Sequence, residues 1–197
     1  MDLGFILDSS GSVGYIGYQQ EKAFIKSISA RFHENQDGPI ASVITYSFDA
    51  DLNIKLNDYM FPDLASFNLA VDTIPYIASI SRLDKALLLA QTDLYSLENG
   101  GRPDCPKVLI VLLDGVPTQG YDYVDPSTIA QTIRNSGIYT LFVAFGQEVS
   151  YLQPFLLQVA GNDNEDIFTV IDASQLTEES FIDAIISRAW SGMLFCG

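Results

Sequence analysis

Short apolar runs alternate with helix-like stretches along this chain, and this alternation restricts the possible folds more than any other feature. The runs are rich in Val, Ile and Phe and nearly free of polar residues, which is typical of strands covered on both faces. They cover residues 3–7, 40–46, 107–113, 138–145 and 167–171. We predict that these runs form the central, parallel strands of one sheet.

One further strand has a different pattern. Residues 51–56 alternate, with Leu52, Ile54 and Leu56 on one side, and they follow the preceding run after a short SFDA turn. Such alternation is typical of a strand with one solvated face, and a short turn joins antiparallel neighbours. We therefore predict an antiparallel strand at the edge of the sheet.

The first predicted helix covers residues 15–33 and is amphipathic. Its apolar stripe recurs every four residues, at Phe24, Ile28 and Phe32. Charged side chains are expected on the opposite, solvated side: Glu21, Lys22 and Lys26.

Five more helices are predicted, most of them delimited by capping residues or by glycines that end a helix. They cover 62–74, 83–97, Pro126 to Gly137 behind the Asp125 cap, Ser150 to Gly161, and a stretch after Thr177. The element order is βαββααβαβαβα. This order predicts a doubly wound α/β fold, with an open, mostly parallel sheet, one antiparallel edge strand and helices on both faces.

The chain length predicts a single domain. Its 197 residues contain no Pro/Ser-rich linker and no block of charge that would divide them, and this length supports one sizeable core. We therefore expect residues 1–197 to form one domain. Because the first predicted strand begins almost at Met1, we expect the domain to be a segment of a longer protein.

The charge balance argues against some partners. Ten Lys and Arg residues against 25 Asp and Glu residues give a formal net charge of −15, which repels nucleic acid phosphates and anionic lipids and attracts cations. No apolar run approaches the ~20 residues that a membrane helix needs. We expect no nucleic acid partner and no membrane insertion.

Oxygen-bearing side chains follow two of the predicted strands. The stretch DSSGSVG places Asp8, Ser10 and Ser12 at alternate positions, and Asp114 follows the run 107–113. Because the carboxyl ends of parallel strands meet at one edge of the sheet, we expect both carboxylates to converge there. Carboxylate and hydroxyl oxygens suit a hard divalent cation. Alternatively, DSSGSVG is a strand-end turn in which Asp8 caps the next helix.

Catalytic interpretations have little support in the sequence. The single histidine, His33, ends the first predicted helix, where we expect it to satisfy terminal carbonyl groups rather than to serve a Ser-His-Asp triad. Neither common phosphate-binding glycine motif occurs. A phosphoryl-transfer role for Asp8 needs a nearby lysine or general acid, and the sequence offers only Lys85.

Together, these residues and the element order resemble the von Willebrand factor type A family, over essentially the whole chain. The metal-ion-dependent adhesion site of that family reads D-x-S-x-S, then a Thr in a middle loop, then an Asp in a T-D-G turn. Here S-R-L-D-K-A-L resembles the T-R-I-D-K-A-L stretch of extracellular-matrix members of the matrilin and collagen type, and it places Ser81 at the threonine. Ser81 keeps the hydroxyl but lacks the methyl group. Leu113 replaces the Thr of T-D-G.

The resemblance implies a divalent cation held by Asp8, Ser10, Ser12, Ser81 and Asp114, with Mg²⁺ preferred and Mn²⁺ or Ca²⁺ as alternatives. It implies a non-enzymatic binding module, in a secreted matrix protein or in the ectodomain of a membrane protein. The expected ligand is an acidic residue of a collagen-like or other matrix or cell-surface protein. An alternative interpretation keeps the fold as a structural matrix or mineral-associated domain that assembles through other surfaces.

Two cysteines and four tyrosines leave alternatives open. Cys105 and Cys196 are both expected at the face opposite the metal, where a disulfide between them is plausible, but two inert core thiols are equally compatible with the sequence. The tyrosines are expected near the metal face. They either line a binding surface or are ordinary half-buried side chains: Tyr15, Tyr18, Tyr121 and Tyr123.

Overall fold

A computed structural model describes residues 1–33, 40–58, 63–147 and 149–193 of the chain. Its six strands are β1 (Asp2–Asp8), β2 (Ile40–Tyr46), β3 (Ala50–Ile54), β4 (Lys107–Leu113), β5 (Ile138–Phe145) and β6 (Ile167–Val170). They form one sheet in the order β3-β2-β1-β4-β5-β6. Strand β3 is antiparallel to β2, and the other neighbouring pairs are parallel.

Helices cover both faces of this sheet. They are α1 (Gly14–His33), α2 (Leu64–Thr73), α3 (Leu83–Leu89), α4 (Pro126–Asn135), α5 (Val149–Val159) and α6 (Glu179–Met193). Within the described ranges, none of these helices has the length and apolar character needed to cross a bilayer.

Successive residues of the central strands contact opposite layers of helices. Val108 and Ile110 of β4 belong to the apolar cluster formed with α1, α2 and α6, whereas Leu109 and Val111 belong to the cluster formed with α3, α4 and α5. All four side chains are completely buried. Burial on both faces explains why these strands read as continuous apolar runs. The doubly wound α/β fold with an antiparallel edge strand is confirmed.

Some element limits differ from the sequence prediction. Strand β3 ends at Ile54 rather than at residue 56, and Leu56 is buried in the turn that follows. The helix predicted over 83–97 is α-helical only to Leu89 and continues as a single π-helical turn, Ala90–Leu94. The last helix begins at Glu179, after a 3-10 turn. Local sequence patterns predict the presence of an element more reliably than they predict its first and last residues.

The prediction of a charged, solvated side on α1 is wrong for two residues. Glu21 and Lys22 are buried, whereas Lys26 is half-buried. Glu21 precedes Phe24 and Ile28 of the stripe by three and seven positions, so it lies on the same face of the helix. The ammonium group of Lys22 donates to the carbonyl oxygens of Asp72 and Ile74, at 3.2 and 3.3 Å. These bonds satisfy a buried charge at the end of α2.

Two expectations concern residues that the structure does not describe. Cys105 is half-buried in the turn before β4, but Cys196 lies outside the described residues, so a bond between them stays a prediction. Helix α1 ends at His33 as expected, and the side chain of that residue also lies outside the description.

Candidate metal centre

Two carboxylates lie at the carboxyl ends of adjacent central strands. Asp8 is the last residue of β1, and Asp114 directly follows β4, which pairs with β1 in parallel. Ligands in open α/β sheets bind at this edge because the strand-to-helix loops meet there. The two groups are close enough for the charge of Asp114 to raise the pKa of Asp8. The structure thus brings together the two acidic residues that the sequence analysis selected.

The loop between β1 and α1 places two hydroxyl groups next to Asp114. The backbone N–H of Ser10 donates to Oδ1 of Asp8 at 2.8 Å, which fixes the turn after the strand. The Oγ atoms of Ser10 and Ser12 are 3.1 Å apart. Oγ of Ser12 donates to Oδ1 of Asp114 at 3.0 Å. Gly14 then adopts a φ of 69°, which glycine tolerates without strain, where α1 begins.

Ser81 reaches the same place from the loop between α2 and α3. That loop is held by its backbone: the N–H of Ala78 donates to the carbonyl of Ser9 at 2.9 Å, and the N–H of Thr118 donates to the carbonyl of Ser81 at 2.7 Å. The Oγ atom of Ser81 lies 3.5 Å from Oδ2 of Asp8, at the outer limit of a hydrogen bond. The residue that only the family resemblance selected is therefore adjacent to Asp8.

A buried ion pair fixes the residues that follow Ser81. The guanidinium group of Arg82 donates to both carboxylate oxygens of Asp84, at 2.8 and 2.7 Å, and both side chains are almost fully buried. Arg82 also contacts Asp122 at 2.8 Å. A two-point contact of this kind restricts rotation about the guanidinium axis. It holds the loop that carries Ser81 against the loop between β4 and α4.

The donor atoms of these five residues suit a hard cation. They comprise two carboxylates and three hydroxyls, linked to one another by the contacts above. Within the described ranges, no group of three or more acidic, histidine or cysteine side chains has a metal-binding arrangement. Mg²⁺ prefers oxygen ligands and commonly retains several waters, so one or two carboxylates and a few hydroxyls fit it. Two carboxylates at most cancel the charge of the ion.

Asp8 forms the closed floor of the site. It is completely buried, and its Oδ2 accepts a hydrogen bond of 2.7 Å from the Tyr46 hydroxyl. Burial, and then the negative charge of Asp114, raise the pKa of Asp8 to about 6. The sequence analysis missed Tyr46. The feature that could have identified it is the parallel register of the first two strands, which places Tyr46 directly opposite Asp8.

Ser12 and Asp114 form the open rim of the site. Ser12 is exposed and Asp114 is half-buried, whereas Ser10 and Ser81 are buried beside Asp8. Burial raises the pKa of Asp114, and the hydrogen bond from Ser12 opposes that shift. The donor set therefore has one side that a molecule from solvent can reach.

A third carboxyl group, that of Glu21 in α1, lies beneath the site. The sequence analysis did not predict that Glu21 is a neighbour of the site. Glu21 is completely buried, and neither of its side-chain oxygens has a hydrogen-bond partner among the described residues. Burial, together with the charges of Asp8 and Asp114, raises its pKa well above the ordinary value, and the nearby backbone of Asp8 partly opposes this shift. Its position three residues before Phe24 was the available signal, because that spacing places it on the apolar stripe.

Replacing Glu21 by methionine is expected to raise the stability of metal-free protein by about 1–3 kcal/mol, because it removes a buried polar group without a partner. Glu21→Gln keeps the size and polarity of the group and serves as the matched control, for which we expect no comparable gain. Urea unfolding at neutral pH in a chelating buffer measures the difference. A methionine variant less stable than the wild type would show that the carboxyl group is stabilising.

The four tyrosines that the sequence analysis expected near the metal face differ in exposure. Tyr15 and Tyr121 are exposed, Tyr123 is half-buried, and Tyr18 is completely buried. Tyr18 is a core residue because it lies seven positions before Ile25, on the buried face of α1. Only Tyr15 and Tyr121 are available to contact a partner through most of their surface.

Comparison with known proteins agrees with this architecture. The sequence profile of the von Willebrand factor type A domain matches residues 2–182. Human von Willebrand factor A domain-containing protein 2 is 30% identical over 150 residues, which cover 76% of this chain and 19% of that protein. The mouse collagen alpha-6(VI) chain is 28% identical over 189 residues, which cover 94% of this chain and 8% of that protein. The chain thus spans a small part of these relatives.

Solved structures show the same fold. Proximal thread matrix protein 1 from the mussel byssus superimposes with a TM-score of 0.84 at 21% identity, over 95% of this chain and 47% of that one. A second structure of that protein is described as having a zinc-occupied MIDAS motif, where MIDAS stands for metal-ion-dependent adhesion site. It has a TM-score of 0.78 at 20% identity, with the same coverage. The profile match extends over most of the chain and the topology is the same. The chain therefore belongs to the von Willebrand factor type A domain family.

Proposed function

We propose that this domain binds a protein partner through a divalent cation, with an acidic residue of the partner completing the coordination of the ion. The proposal includes an extracellular setting, in the matrix or at the cell surface, and Mg²⁺ as the preferred ion, with Mn²⁺ or Ca²⁺ as alternatives. The observation that carries it is the convergence of Asp8, Ser10, Ser12, Ser81 and Asp114, which three separate loops bring to one edge of the sheet.

The residues divide into direct ligands and charge-bearing groups under this proposal. Ser10, Ser12 and Ser81 offer neutral hydroxyl oxygens to the ion. Both oxygens of Asp8 already accept hydrogen bonds from the protein, which favours contact with the ion through water. A bound cation with few negative ligands stays electrophilic, and a carboxylate from outside can then bind it. No bond is broken in this event, so the proposed role is recognition rather than catalysis.

The names of the similar proteins support an extracellular setting. They include a collagen chain and a thread matrix protein, and a structure of the latter is described as having zinc in the MIDAS motif. A second candidate function follows from the same names, namely a structural matrix domain that assembles through other surfaces. The two candidates differ in whether binding depends on the metal.

Solid-phase binding tests this difference. The domain is applied to immobilised collagen and other matrix proteins, with excess Mg²⁺ or with a chelator. We expect binding to at least one of them that the chelator abolishes and that added Mg²⁺ restores. Ser12→Ala, which removes one exposed hydroxyl, should weaken the same binding, and Ser150→Ala at the start of α5 is the control. Binding that persists in the chelator would favour the structural candidate.

The enzymatic interpretation requires a lysine or a general acid close to Asp8. The only lysine that the sequence offered for phosphoryl transfer, Lys85, contacts Asp49 at 3.3 Å and lies 5.0 Å from the centre of the Phe48 ring. It also lies 4.0 Å from Asp122. These contacts engage the ammonium group of Lys85 with side chains other than Asp8, so we propose that the domain is not an enzyme.

A further inference from the structure

A cavity of about 360 Å³ opens directly beside the candidate metal centre. Ser12 and Asp114, the two rim residues of the centre, form one wall of it. The ends of β5 and β6 form the other walls. A ligand whose carboxylate reaches the metal can therefore place a neighbouring group over this cavity.

The chemistry of the walls is mixed. Val13, Phe145 and Ile171 supply apolar surface, and Asp172 supplies a carboxylate. Among the residues that the structure describes, no lysine or arginine lines the cavity. Apolar walls next to the carboxylates of Asp114 and Asp172 suit a long side chain that has an aliphatic stem and a cationic end.

Asp172 is fixed in position and ionised. Its Oδ1 accepts hydrogen bonds from the backbone N–H and the hydroxyl of Ser174, at 2.8 and 2.6 Å, and these bonds lower its pKa. Asp172 also caps the 3-10 turn Ala173–Thr177, and the residue stays exposed to solvent. Its carboxylate is therefore accessible to a ligand, on a group whose orientation the protein has already set.

We propose that this cavity receives a basic side chain, arginine in preference to lysine, of the same partner whose acidic residue binds the metal. This inference rests on the proposed function and adds a sequence requirement to it: an acidic residue with a basic residue next to it. The guanidinium group is weakly hydrated and planar, so it pairs with Asp172 while its stem covers Val13 and Ile171. A second acidic residue is disfavoured here, because the carboxylate of Asp172 repels it.

Short peptides test the requirement. The probes are acetyl-Ala-Glu-Arg-Ala-amide, acetyl-Ala-Arg-Glu-Ala-amide and the same two peptides with citrulline in place of arginine, which keeps the shape and removes the charge. Chemical-shift titrations with excess Mg²⁺ measure their affinities, and a chelator measures the dependence on metal. We expect at least one arginine peptide to bind about fivefold more tightly than its citrulline analogue.

Two variants localise the effect. Asp172→Asn keeps a side chain that caps the following turn equally well, and it should remove the advantage of arginine while leaving the metal-dependent binding of the citrulline peptides. Asp125→Asn is the matched control, because Asp125 also caps a helix through Ser127 but does not line the cavity. It should keep the advantage.

The possible failures are distinct. Equal, Mg²⁺-dependent binding of arginine and citrulline peptides would overturn the cavity assignment and leave the proposed function standing. Loss of the arginine advantage in Asp125→Asn as well would also overturn the assignment, since it would indicate a diffuse effect of charge. Absence of any metal-dependent peptide binding would overturn both.

Discussion

Asp114→Ala is expected to abolish the rise in melting temperature that Mg²⁺ produces in the wild-type domain. A ligand at a hundredfold excess over its dissociation constant stabilises the folded state by about 2.7 kcal/mol, which corresponds to about 5–10 °C for a domain of this size. Asp114 supplies one of the two negative charges of the site, at its open rim. Without it, the remaining hydroxyls and Asp8 hold a divalent ion weakly.

The same substitution should act in the opposite direction without metal. The charge of Asp114 raises the pKa of Asp8, so removing it relieves a repulsion, and the metal-free variant should be at least as stable as the metal-free wild type. Thermal melts with Mg²⁺ and with a chelator measure both effects, with Asp125→Asn as the control. A variant that still responds to Mg²⁺ like the wild type would contradict the assignment.

We expect the free energy of unfolding of the metal-free domain to fall as the pH rises from about 4 to about 7, because of the ionisation of Asp8. Its pKa in the folded state is about 6, against an ordinary value of 3.8. The folded state therefore holds a proton that the unfolded state has already released, and stability is lost as the pH rises through this window. The shift corresponds to about 3 kcal/mol, which is fully lost by about pH 7.

Comparison with Asp8→Asn isolates this effect from those of the other acidic groups. The stability of the wild type relative to the variant should fall by about 3 kcal/mol across that pH range when measured by urea unfolding in a chelating buffer. With Mg²⁺ present, the sign should reverse, because the ion favours the ionised carboxylate. A difference between the two proteins that does not change with pH would contradict the raised pKa.

The fold was predictable because its signals are local. The apolar runs around β1, β4 and β5 follow from burial on both faces, and the cap at Asp125 with Pro126 defined the start of α4. From the strand order alone, Asp8 and Asp114 could be placed at one edge of the sheet. The element limits were less predictable, because single π-helical turns such as Ala90–Leu94 are rare and the spacing of apolar residues does not mark them.

The environment of the site was less predictable than its main residues. Ser81 came from the resemblance to the family, since a single serine in a loop has no local pattern of its own. Tyr46 depends on the register between two strands, and register is set by the whole sheet. The burial of Glu21 depends on the phase of α1 relative to the core, and a charged residue on an apolar stripe is easily assigned to the wrong side.

The most direct measurement is the anomalous diffraction of crystals soaked in Mn²⁺. We expect one strong peak among the loops that follow β1 and β4, at a coordination distance of about 2.0–2.3 Å from the Oγ atoms of Ser10 and Ser12. Asp8 and Asp114 should lie around the same ion, directly or through one water. A Mn²⁺ peak elsewhere, with none between Ser12 and Asp114, would contradict a metal centre built from these residues.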